Sequence, residues 1–255
     1  MFKIQIFSDL HTELLSNIKH LHNIKSLAPN VALLGDIGNP YKKIYKETLQ
    51  LFSNKFENVY VIAGNHEFYK NIYQNTLDQI HKTCEQFNNV KFLNKTVIDI
   101  DNFKIIGCTL WSNIPDKHRD EMSVIVNDYH QISYLYHNAK YKFDVDFQND
   151  LHKSELKWLE GEVEKSEKNI IVLTHHAPTY KNTCDAKYIG KSSNCVFMNN
   201  LDYLFSDKMK LWCYGHTHYC NVQTINGTLL ASNQYGYRDE KLNFKFDEVY
   251  EINSQ

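Results

Sequence analysis

Short apolar runs alternate with amphipathic segments along this chain, and this alternation constrains the fold more than any other feature. Six runs rich in β-branched residues predict buried strands, at residues 2–8, 31–35, 59–64, 103–111, 170–176 and 210–216. Residues 41–56, 72–87 and 149–165 carry apolar side chains at helical spacing, with charges on the opposite face. Strands that alternate with helices predict an α/β fold in which helical layers enclose much of the sheet.

Two other stretches predict antiparallel hairpins within the same fold. Residues 96–107 and 221–232 each hold two strand-like runs, separated by Asp101-Asn102 and by Asn226-Gly227. Dipeptides of this kind form the tight turns that join antiparallel strands. We therefore expect sheets that mix parallel and antiparallel pairing.

The chain predicts a single domain over residues 1–255, because it contains no internal repeat, low-complexity tract or linker-like segment. Residues 112–147 form the least regular stretch, rich in Asp, His, Tyr and Asn. Long excursions of this kind are often active-site elements, so we interpret the segment as a lid or substrate-specificity insertion. The alternative is an ordinary surface excursion.

The composition excludes several classes of protein. Apolar residues make up 42% of the chain and charged residues 23%, as in ordinary globular proteins. A formal net charge of -2 gives no signature of nucleic-acid or membrane binding. No run approaches the ~20 apolar residues of a membrane span, and the N-terminus lacks a secretory-signal pattern. Six cysteines without a CxxC pair indicate reduced thiols, so we predict a cytoplasmic protein.

Five short polar motifs follow the apolar runs, each where a strand should end. They are Asp9-Leu10-His11, Gly35-Asp36, Gly64-Asn65-His66-Glu67, His175-His176 and Gly215-His216-Thr217-His218. In open α/β sheets, ligands bind in the crevice outside the carboxyl ends of the strands. The five motifs are therefore expected to converge on one site.

Each motif alone has an ordinary structural explanation. A Gly-Asp pair usually forms a turn or a helix cap, and a lone Asp-x-His does the same. Adjacent histidines on a strand point to opposite faces, so only one of His175 and His176 needs to face the site. His216 and His218 are two residues apart, which places both rings on one side of an extended backbone. Five such motifs at five strand ends indicate metal binding.

The types of side chain in these motifs indicate which metals suit them. The seven candidate ligands are Asp9, His11, Asp36, Asn65, His175, His216 and His218. Carboxylates, imidazoles and one amide, without cysteine, suit divalent transition-metal ions such as Mn²⁺, Fe²⁺ and Zn²⁺, and also Fe³⁺. Seven ligands exceed one tetrahedral site, but they fill two sites if one carboxylate bridges them. Two metals ~3.5–4 Å apart form the clamp that phosphatases and nucleases use.

In this order, the five motifs resemble the calcineurin-like metallophosphoesterase superfamily. The resemblance extends from Phe7 to about Tyr237 and is strongest to a group of small, largely uncharacterised bacterial-type metallophosphoesterases. That group shares further features seen here as GCTLWS (residues 107–112), NDYHQI (127–132) and SNQYGY (232–237). The resemblance implies a four-layer α/β/β/α sandwich with mixed sheets.

The resemblance also implies a role for each candidate residue. Asp9, His11 and His218 would bind the first metal, and Asn65, His175 and His216 the second, with Asp36 as the bridge. The choice of His175 over His176 follows the family pattern. His66 would lie beside the metals and protonate the leaving oxygen. One departure is Asn39 in GDIGNP, where the family often has an acidic residue, and this puts contacts at that position in doubt.

The expected function is that of a dinuclear metal-dependent phosphoesterase acting on a small phosphate ester. A water activated by the metals would attack phosphorus while His66 assists the leaving group, with Asp36 also taking part in catalysis. We favour a nucleotide-type phosphodiester, because the chain lacks the basic surface expected for polymeric nucleic acid. The alternatives are a phosphomonoesterase, a pyrophosphatase, a protein phosphatase or a non-catalytic scaffold of the same fold.

Other residues have two interpretations each. Glu67 is either an acid at the start of the following helix or the residue that orients a histidine. Trp111 and Tyr129 either stack on a substrate ring or belong to the core. Arg238 either holds a phosphate oxygen or is a surface charge, and nothing in the sequence decides whether Asp128 faces the site.

Overall fold

Two β-sheets lie face to face in the computed structural model, which describes residues 1–240 and 242–253. The first sheet contains β1 (Phe2–Phe7), β2 (Asn30–Leu34), β3 (Asn58–Ile62), β4 (Val90–Phe92) and β13 (Tyr250–Ile252). Its order is β13-β1-β2-β3-β4, and β1 to β4 are parallel, whereas β13 runs antiparallel to β1. The carboxyl ends of β1, β2 and β3 therefore meet at one edge.

The second sheet combines a parallel centre with two antiparallel hairpins. Its strands are β5 (Thr96–Ile100), β6 (Phe103–Cys108), β9 (Asn169–Thr174), β10 (Met209–Cys213), β11 (Asn221–Ile225) and β12 (Thr228–Ser232). The order is β11-β12-β10-β9-β6-β5, with parallel pairing from β6 through β9 and β10 to β12. The pairs β5–β6 and β11–β12 are antiparallel, so both predicted hairpins are confirmed.

Helices cover the outer faces of both sheets. They are α1 (Lys43–Lys55), α2 (Tyr73–Cys84), α3 (Arg119–Ile125), α4 (Asp128–Gln131), α5 (Val145–Lys165) and α6 (Asn194–Phe197). A separate hairpin joins β7 (Ser133–Tyr136) to β8 (Ala139–Lys142). None of the helices in the described ranges is long and apolar enough to cross a membrane.

The core confirms the predicted four-layer α/β/β/α arrangement. In β2, Val31 and Leu33 pack outward with the α1 residue Phe52, whereas Ala32 and Leu34 face the second sheet. Because alternate side chains of a strand point to opposite faces, a strand covered on both faces is apolar along its length. On the far side of the second sheet, apolar side chains of β6, β9 and β10 pack with α5.

Some predicted boundaries were wrong. The strand predicted to reach residue 111 ends at Cys108, because Leu110 takes a left-handed conformation with φ 55 that breaks the extension. The helix predicted from residue 149 starts at Val145, since the Asp144 side chain caps it by accepting a hydrogen bond from the Phe147 amide at 2.8 Å. Residues 112–147 are more regular than predicted, because they include α3, α4 and the β7–β8 hairpin.

Candidate metal centre

The loops that follow β1, β2, β9 and β10 are joined by hydrogen bonds across the two sheets. The Asp9 amide donates to the Gly35 carbonyl at 3.1 Å, and the Gly215 amide donates to the His175 carbonyl at 2.8 Å. His175 Nδ1 lies 2.7 Å from the carbonyl oxygen of Leu34, at the end of β2. The carboxyl ends of both sheets therefore meet at one place.

Glycines make this close approach possible. A side chain at Gly35, whose φ is 88, would clash with the His175 ring, and one at Gly64 would clash with the Asp36 carboxylate. Backbone can approach a neighbouring group this closely only where Cβ is missing. The glycines that precede Asp36 and Asn65 thus set the spacing of the site.

The backbone of the site is held in an uncommon conformation. Five of the seven candidate ligands have positive φ, namely Asp9 at 54, His11 at 45, Asp36 at 51, His216 at 69 and His218 at 47. Residues other than glycine adopt this left-handed region infrequently, and such strained positions concentrate at functional sites. The loops turn sharply after the strands and bring their side chains back towards one another.

Asp9, His11 and His218 form a first donor group. The Nε2 atoms of His11 and His218 are 3.1 Å apart, and Asp9 Oδ1 lies 3.4 Å from His218 Nε2. Asp9 is buried and also accepts the His216 amide at 3.1 Å. Although burial raises the pKa of the Asp9 carboxyl, the hydrogen bond and charge of His218 hold it below its usual value.

Asp36, Asn65, His175 and His216 form a second donor group. The Nε2 atom of His175 lies 3.2 Å from Asn65 Oδ1, 3.1 Å from His216 Nδ1 and 3.5 Å from Asp36 Oδ1. Burial lowers the pKa of His175 to about 4 and also lowers that of His216, so both rings are neutral near pH 7. Neutral imidazole is the form that binds a metal.

The Asp36 carboxylate lies between the two donor groups. Its Oδ1 faces His175 in the second group, and its Oδ2 lies 3.9 Å from His11 Nε2 in the first. Oδ1 also accepts a hydrogen bond from the His66 amide at 2.9 Å, which fixes the carboxylate. A carboxylate so placed offers one oxygen to each group.

The residues present fit divalent transition-metal ions. In each group the Asp and His donor atoms lie within 4.8 Å of one another, and both groups are largely buried. Carboxylate, imidazole and amide donors, without a cysteine thiolate, are the set that such ions prefer. The structure brings all seven candidate ligands together, while their roles as ligands are a proposal.

His66 lies beside the two groups and is positioned by a residue that the sequence did not single out. Its Nδ1 is 3.1 Å from Glu13 Oε1, and its Nε2 is 3.2 Å from the Tyr237 hydroxyl. The same Glu13 oxygen lies 3.2 Å from His11 Nδ1. Glu13 is thus shared by a candidate ligand and the candidate acid. Its position two residues after His11, just beyond the first motif, was the available signal.

Glu67 lies in the first turn of the short 3-10 helix His66–Phe68, as one of the two interpretations from the sequence predicted. Its two carboxylate oxygens accept backbone amides of Asp36 at 3.0 Å, Ile37 at 2.7 Å and Gly64 at 2.7 Å. It therefore also joins the loop after β2 to the loop after β3, and its hydrogen bonds go to backbone amides instead of to a histidine. Glu67 is buried, and burial raises its pKa to about 7.

Asp128 brings the irregular segment into the site. Its Oδ1 accepts hydrogen bonds from the Asn65 side-chain amide and from the Tyr69 hydroxyl, both at 2.8 Å. Because the amide nitrogen of Asn65 is held by Asp128, its oxygen turns towards His175. Asp128 therefore orients a candidate ligand from within residues 112–147.

The loop after β12 closes the opposite side. Glu240 Oε2 lies 2.5 Å from His218 Nδ1 and accepts the Tyr237 amide at 2.8 Å. The Tyr237 ring packs 4.5 Å from His11 and 4.7 Å from His218. A carboxylate on the far nitrogen of a ligating histidine fixes the orientation of its ring. No sequence pattern indicated Glu240.

The other residues considered from the sequence lie in the core or away from the two donor groups. Trp111 and Tyr129 are buried in the core, and the Tyr129 hydroxyl donates to Gln148 at 2.8 Å. His176 is also buried, and its ring packs 5.3 Å from Trp111, outside both donor groups. Arg238 is exposed and does not line the cavity beside the site.

A cavity of about 940 Å³ opens beside the two donor groups. His66, His216 and His218 form part of its floor. Its walls come from residues 125–128, 184–185, 187–188, 193–194, 196–198, 237, 239–240 and 242–243. Ligand sites typically fall between about 300 and 1,000 Å³. The cavity is large enough to hold a small organic phosphate.

Comparisons with known proteins agree with this arrangement. The profile of the calcineurin-like phosphoesterase family matches residues 2–220. Uncharacterized protein L509 of Acanthamoeba polyphaga mimivirus is 34% identical over 261 residues, which cover 94% of this chain and 93% of that protein.

Two solved structures share the fold at lower identity. A phosphopantetheinyl hydrolase from Mycobacterium tuberculosis is 17% identical, with a TM-score of 0.71 over 92% of this chain and 89% of that one. A dimetal phosphatase from Danio rerio is 12% identical, with a TM-score of 0.51 over 91% and 87% of the two chains. Because the family profile spans most of the sequence and a relative aligns over nearly all of it, the chain belongs to the calcineurin-like phosphoesterase family.

Proposed function

We propose that this protein is a dinuclear metal-dependent phosphoesterase that hydrolyses a small organic phosphodiester. The observation that carries the proposal is the Asp36 carboxylate, with one oxygen 3.5 Å from His175 and the other 3.9 Å from His11. A carboxylate between two groups of imidazole and oxygen donors is the arrangement that a pair of metals needs.

The donor groups define where each metal would be held. The first group would bind one ion through Asp9, His11 and His218, and the second would bind the other through Asn65, His175 and His216, with Asp36 serving both. When bound, two divalent ions neutralise the charge of a phosphoryl group and lower the pKa of the attacking water towards ~7. Mn²⁺, iron and Zn²⁺ all suit these donors.

His66 would deliver the proton to the leaving oxygen. Glu13 holds its Nδ1, while its Nε2 lies against the Tyr237 hydroxyl where the ring borders the cavity. An entering substrate would replace that tyrosine contact, so that Nε2 can reach the departing oxygen. Histidine is the side chain that most often serves as a general acid or base in enzymes.

A single phosphodiester suits the cavity better than a polymer or a phosphoprotein. The net charge of -2 provides no broad basic surface for nucleic acid. The size of the cavity favours a substrate of small-molecule size. Separately, all six cysteines are unpaired, which supports a reducing, cytoplasmic setting for the protein. Phosphomonoesters remain the alternative substrates of the same site.

The test is hydrolysis by metal-stripped protein after Mn²⁺, Zn²⁺, Mg²⁺ or Ni²⁺ is added back. Bis(p-nitrophenyl) phosphate and p-nitrophenyl phosphate report diesterase and monoesterase activity, and a phosphopantetheinyl ester extends the panel. Asp36→Asn should abolish metal-dependent turnover, whereas the matched control Asp150→Asn changes an exposed carboxylate of α5 and should not.

Metal content distinguishes the possible failures. Two bound ions per chain without turnover of any ester would support a non-catalytic scaffold. Fewer than two ions per chain at saturating metal would overturn the dinuclear proposal itself.

A further inference from the structure

The motif SNQYGY (residues 232–237) ends in Tyr237, which lines the cavity beside the donor groups. The preceding Gly236 has a φ of 74, a left-handed conformation that suits glycine, and its amide donates to the Asp9 carbonyl at 3.0 Å. The Tyr237 ring packs 4.5 Å from that of His11 and 4.7 Å from that of His218. The turn therefore holds Tyr237 directly against the first donor group.

The hydroxyl of Tyr237 lies 3.2 Å from His66 Nε2. On the other side of that ring, His66 Nδ1 lies 3.1 Å from Glu13 Oε1. A carboxylate only accepts hydrogen bonds, so Nδ1 carries the hydrogen and Nε2 of the neutral ring is an acceptor. A phenol ordinarily keeps its proton near pH 7, so the Tyr237 hydroxyl donates to Nε2 in this state. The protein thus holds a hydrogen-bond donor at the cavity, next to the candidate acid.

The contact between Tyr237 and His66 must change when His66 acts as the acid. Protonated Nε2 carries a hydrogen of its own and can no longer accept one from the Tyr237 hydroxyl. In the proposed reaction this nitrogen faces the leaving oxygen, so the hydroxyl loses its acceptor while it still borders the cavity. Its hydrogen is then available to an oxygen of the bound phosphoryl group.

Cationic side chains that line the cavity are scarce. Among the lining residues in the described part of the chain, Lys187 is the only lysine or arginine. Its Nζ lies 3.6 Å from Asp185 and 4.9 Å from the centre of the Tyr188 ring. Lys191 Nζ lies 4.9 Å from the same ring centre but does not line the cavity. A phosphoryl oxygen beside His66 would therefore find its protein donors among neutral groups.

Two other neutral donors beside His66 are already engaged. The Asn65 side-chain amide and the Tyr69 hydroxyl both line the cavity, and both donate to Asp128 Oδ1 at 2.8 Å. Tyr237 differs from them, because its acceptor is the nitrogen that the proposed reaction protonates. The reaction itself would therefore release the Tyr237 hydroxyl.

We propose that Tyr237 is a further catalytic residue, whose hydroxyl donates a hydrogen bond to a non-bridging phosphoryl oxygen once the substrate displaces it from His66. The proposal rests on the proposed function, because the donor groups must hold the phosphoryl group. The hydrogen bond would be strongest in the transition state, where negative charge develops on that oxygen. The hydroxyl keeps its proton throughout, so no covalent bond of Tyr237 forms or breaks.

Tyr237→Phe tests the proposal, because it removes the hydroxyl and keeps the ring against His11 and His218. In Mn²⁺-loaded protein we expect kcat/KM for methyl p-nitrophenyl phosphate to fall about 10–100-fold, as on removal of one hydrogen bond to a developing charge. Two ions per chain and the wild-type Tm should be retained. Unchanged kcat/KM in Tyr237→Phe would overturn the proposal, as would the loss of an ion.

Tyr203→Phe is the matched control. It also removes a single hydroxyl, one that donates to Glu160 at 2.6 Å and lies outside the cavity. This variant should keep the wild-type kinetics.

A second leaving group separates this role from one that acts only through His66. p-Nitrophenolate departs without a proton near neutral pH, whereas phenolate is a poorer leaving group, so methyl phenyl phosphate depends more on the acid. If the hydroxyl binds the phosphoryl oxygen, Tyr237→Phe should lower kcat/KM by the same factor for both esters. A loss at least tenfold larger for the phenyl ester would show that Tyr237 only positions His66, and the proposal would be wrong.

Binding of inorganic phosphate provides a readout that does not depend on turnover. Isothermal titration of Mn²⁺-loaded protein should give a Kd about tenfold weaker for Tyr237→Phe than for wild type, and an unchanged Kd for Tyr203→Phe. Equal phosphate affinity in Tyr237→Phe and wild type would contradict the proposed contact. Weaker phosphate binding in Tyr237→Phe, together with wild-type protein that hydrolyses no ester, would overturn the proposed function and leave the contact supported.

Discussion

At the scale of single residues, Glu13 is the group through which His11 and His66 are linked. One carboxylate oxygen lies 3.2 Å from His11 Nδ1 and 3.1 Å from His66 Nδ1. We expect Glu13→Gln to lower kcat at saturating Mn²⁺ by about 10–100-fold, the usual effect of removing a carboxylate that orients a catalytic or ligating histidine. KM should change little, because Glu13 does not line the cavity.

The control for this prediction is Glu57→Gln, which changes an exposed carboxylate between α1 and β3. Steady-state kinetics on bis(p-nitrophenyl) phosphate would measure both variants, with metal content recorded in parallel. A Glu13→Gln enzyme with wild-type kcat would remove Glu13 from the catalytic arrangement.

Asp128 allows a second residue-scale prediction. It holds the Asn65 amide nitrogen at 2.8 Å, so that the amide oxygen faces His175. Asp128→Ala removes the acceptor, and we expect the affinity of the second donor group for metal to fall about 10–100-fold. Asp128→Asn keeps an oxygen at this position, so the metal affinity of the second donor group should fall less than in Asp128→Ala.

Metal content after dialysis against a range of free Mn²⁺ would measure this effect. The first donor group lacks Asn65, so one ion per chain should persist in Asp128→Ala where the wild type holds two. Asp120→Ala, on the exposed surface of α3, serves as the matched control. Loss of both ions together in Asp128→Ala would contradict the proposed division into two groups.

The residues that could be predicted from sequence share one property, which is their position within three residues after the end of a strand. Asp9, Asp36, Asn65, His175 and His216 all follow this rule, and the structure brings them together. Residues that support them from elsewhere could not be found this way. Glu240 is 22 residues from His218 in a loop without a pattern, and its contact depends on how that loop folds back.

At the scale of secondary-structure elements, α5 carries a buried acid away from the metal centre. Glu155 is 3% exposed and accepts the Trp111 amide at 2.9 Å. Burial raises its pKa to about 7, while the Trp111 amide and Lys95 act in the opposite direction. The folded protein therefore holds this proton up to a higher pH than the unfolded chain does.

The sign of the resulting pH dependence follows from linkage. The folded-state pKa of Glu155 is raised, so its contribution to the free energy of unfolding declines as pH rises from about 4.5 to about 7 and is constant above that window. Glu155→Gln should remove this decline, which amounts to at most about 3 kcal/mol between pH 4 and pH 8. Urea unfolding at several pH values would measure it.

Glu164→Gln on the same helix is the matched control, because Glu164 is exposed. The difference in unfolding free energy between wild type and Glu155→Gln should vary with pH, whereas that for Glu164→Gln should not. A pH-independent difference for Glu155→Gln would show that the buried carboxyl titrates normally.

Elements with a clear apolar period were predicted better than short or irregular ones. The helices α1 and α2 lie within one to three residues of their predicted bounds, because each keeps one apolar face over several turns. The edge strands β4 and β13 have three residues each, too few to show a period. In residues 112–147 the short elements are held by contacts with distant residues, such as that between Asp128 and Asn65.

At the scale of the whole molecule, the alternation of apolar runs with amphipathic segments predicted helices packed around strands. It did not predict that the strands divide into two sheets. Both faces of β2 and β9 are buried, so their side chains are apolar on each face and do not show which face meets a helix. The resemblance to a known family supplied the four-layer arrangement. The order of strands depends on pairings between segments far apart in sequence, such as β1 with β13.

The two sheets each provide part of the candidate metal centre, and this predicts how metal should affect stability. Asp9, His11, Asp36 and Asn65 follow strands of the first sheet, whereas His175, His216 and His218 follow strands of the second. Metals bound to both sets would connect the sheets only in the folded state. At a metal concentration about 100-fold above Kd, each ion would stabilise the fold by about 2.7 kcal/mol.

We therefore expect saturating Mn²⁺ to raise Tm by about 10–20 °C relative to protein treated with a chelator. Asp36→Asn should reduce this shift strongly, because its carboxylate lies between both donor groups, while Asp150→Asn should keep the full shift. Differential scanning calorimetry across a range of Mn²⁺ concentrations would measure the dependence. If Tm were independent of Mn²⁺ while two ions were bound, the ions would interact equally with the folded and unfolded chains, and the proposed link between the sheets would be wrong.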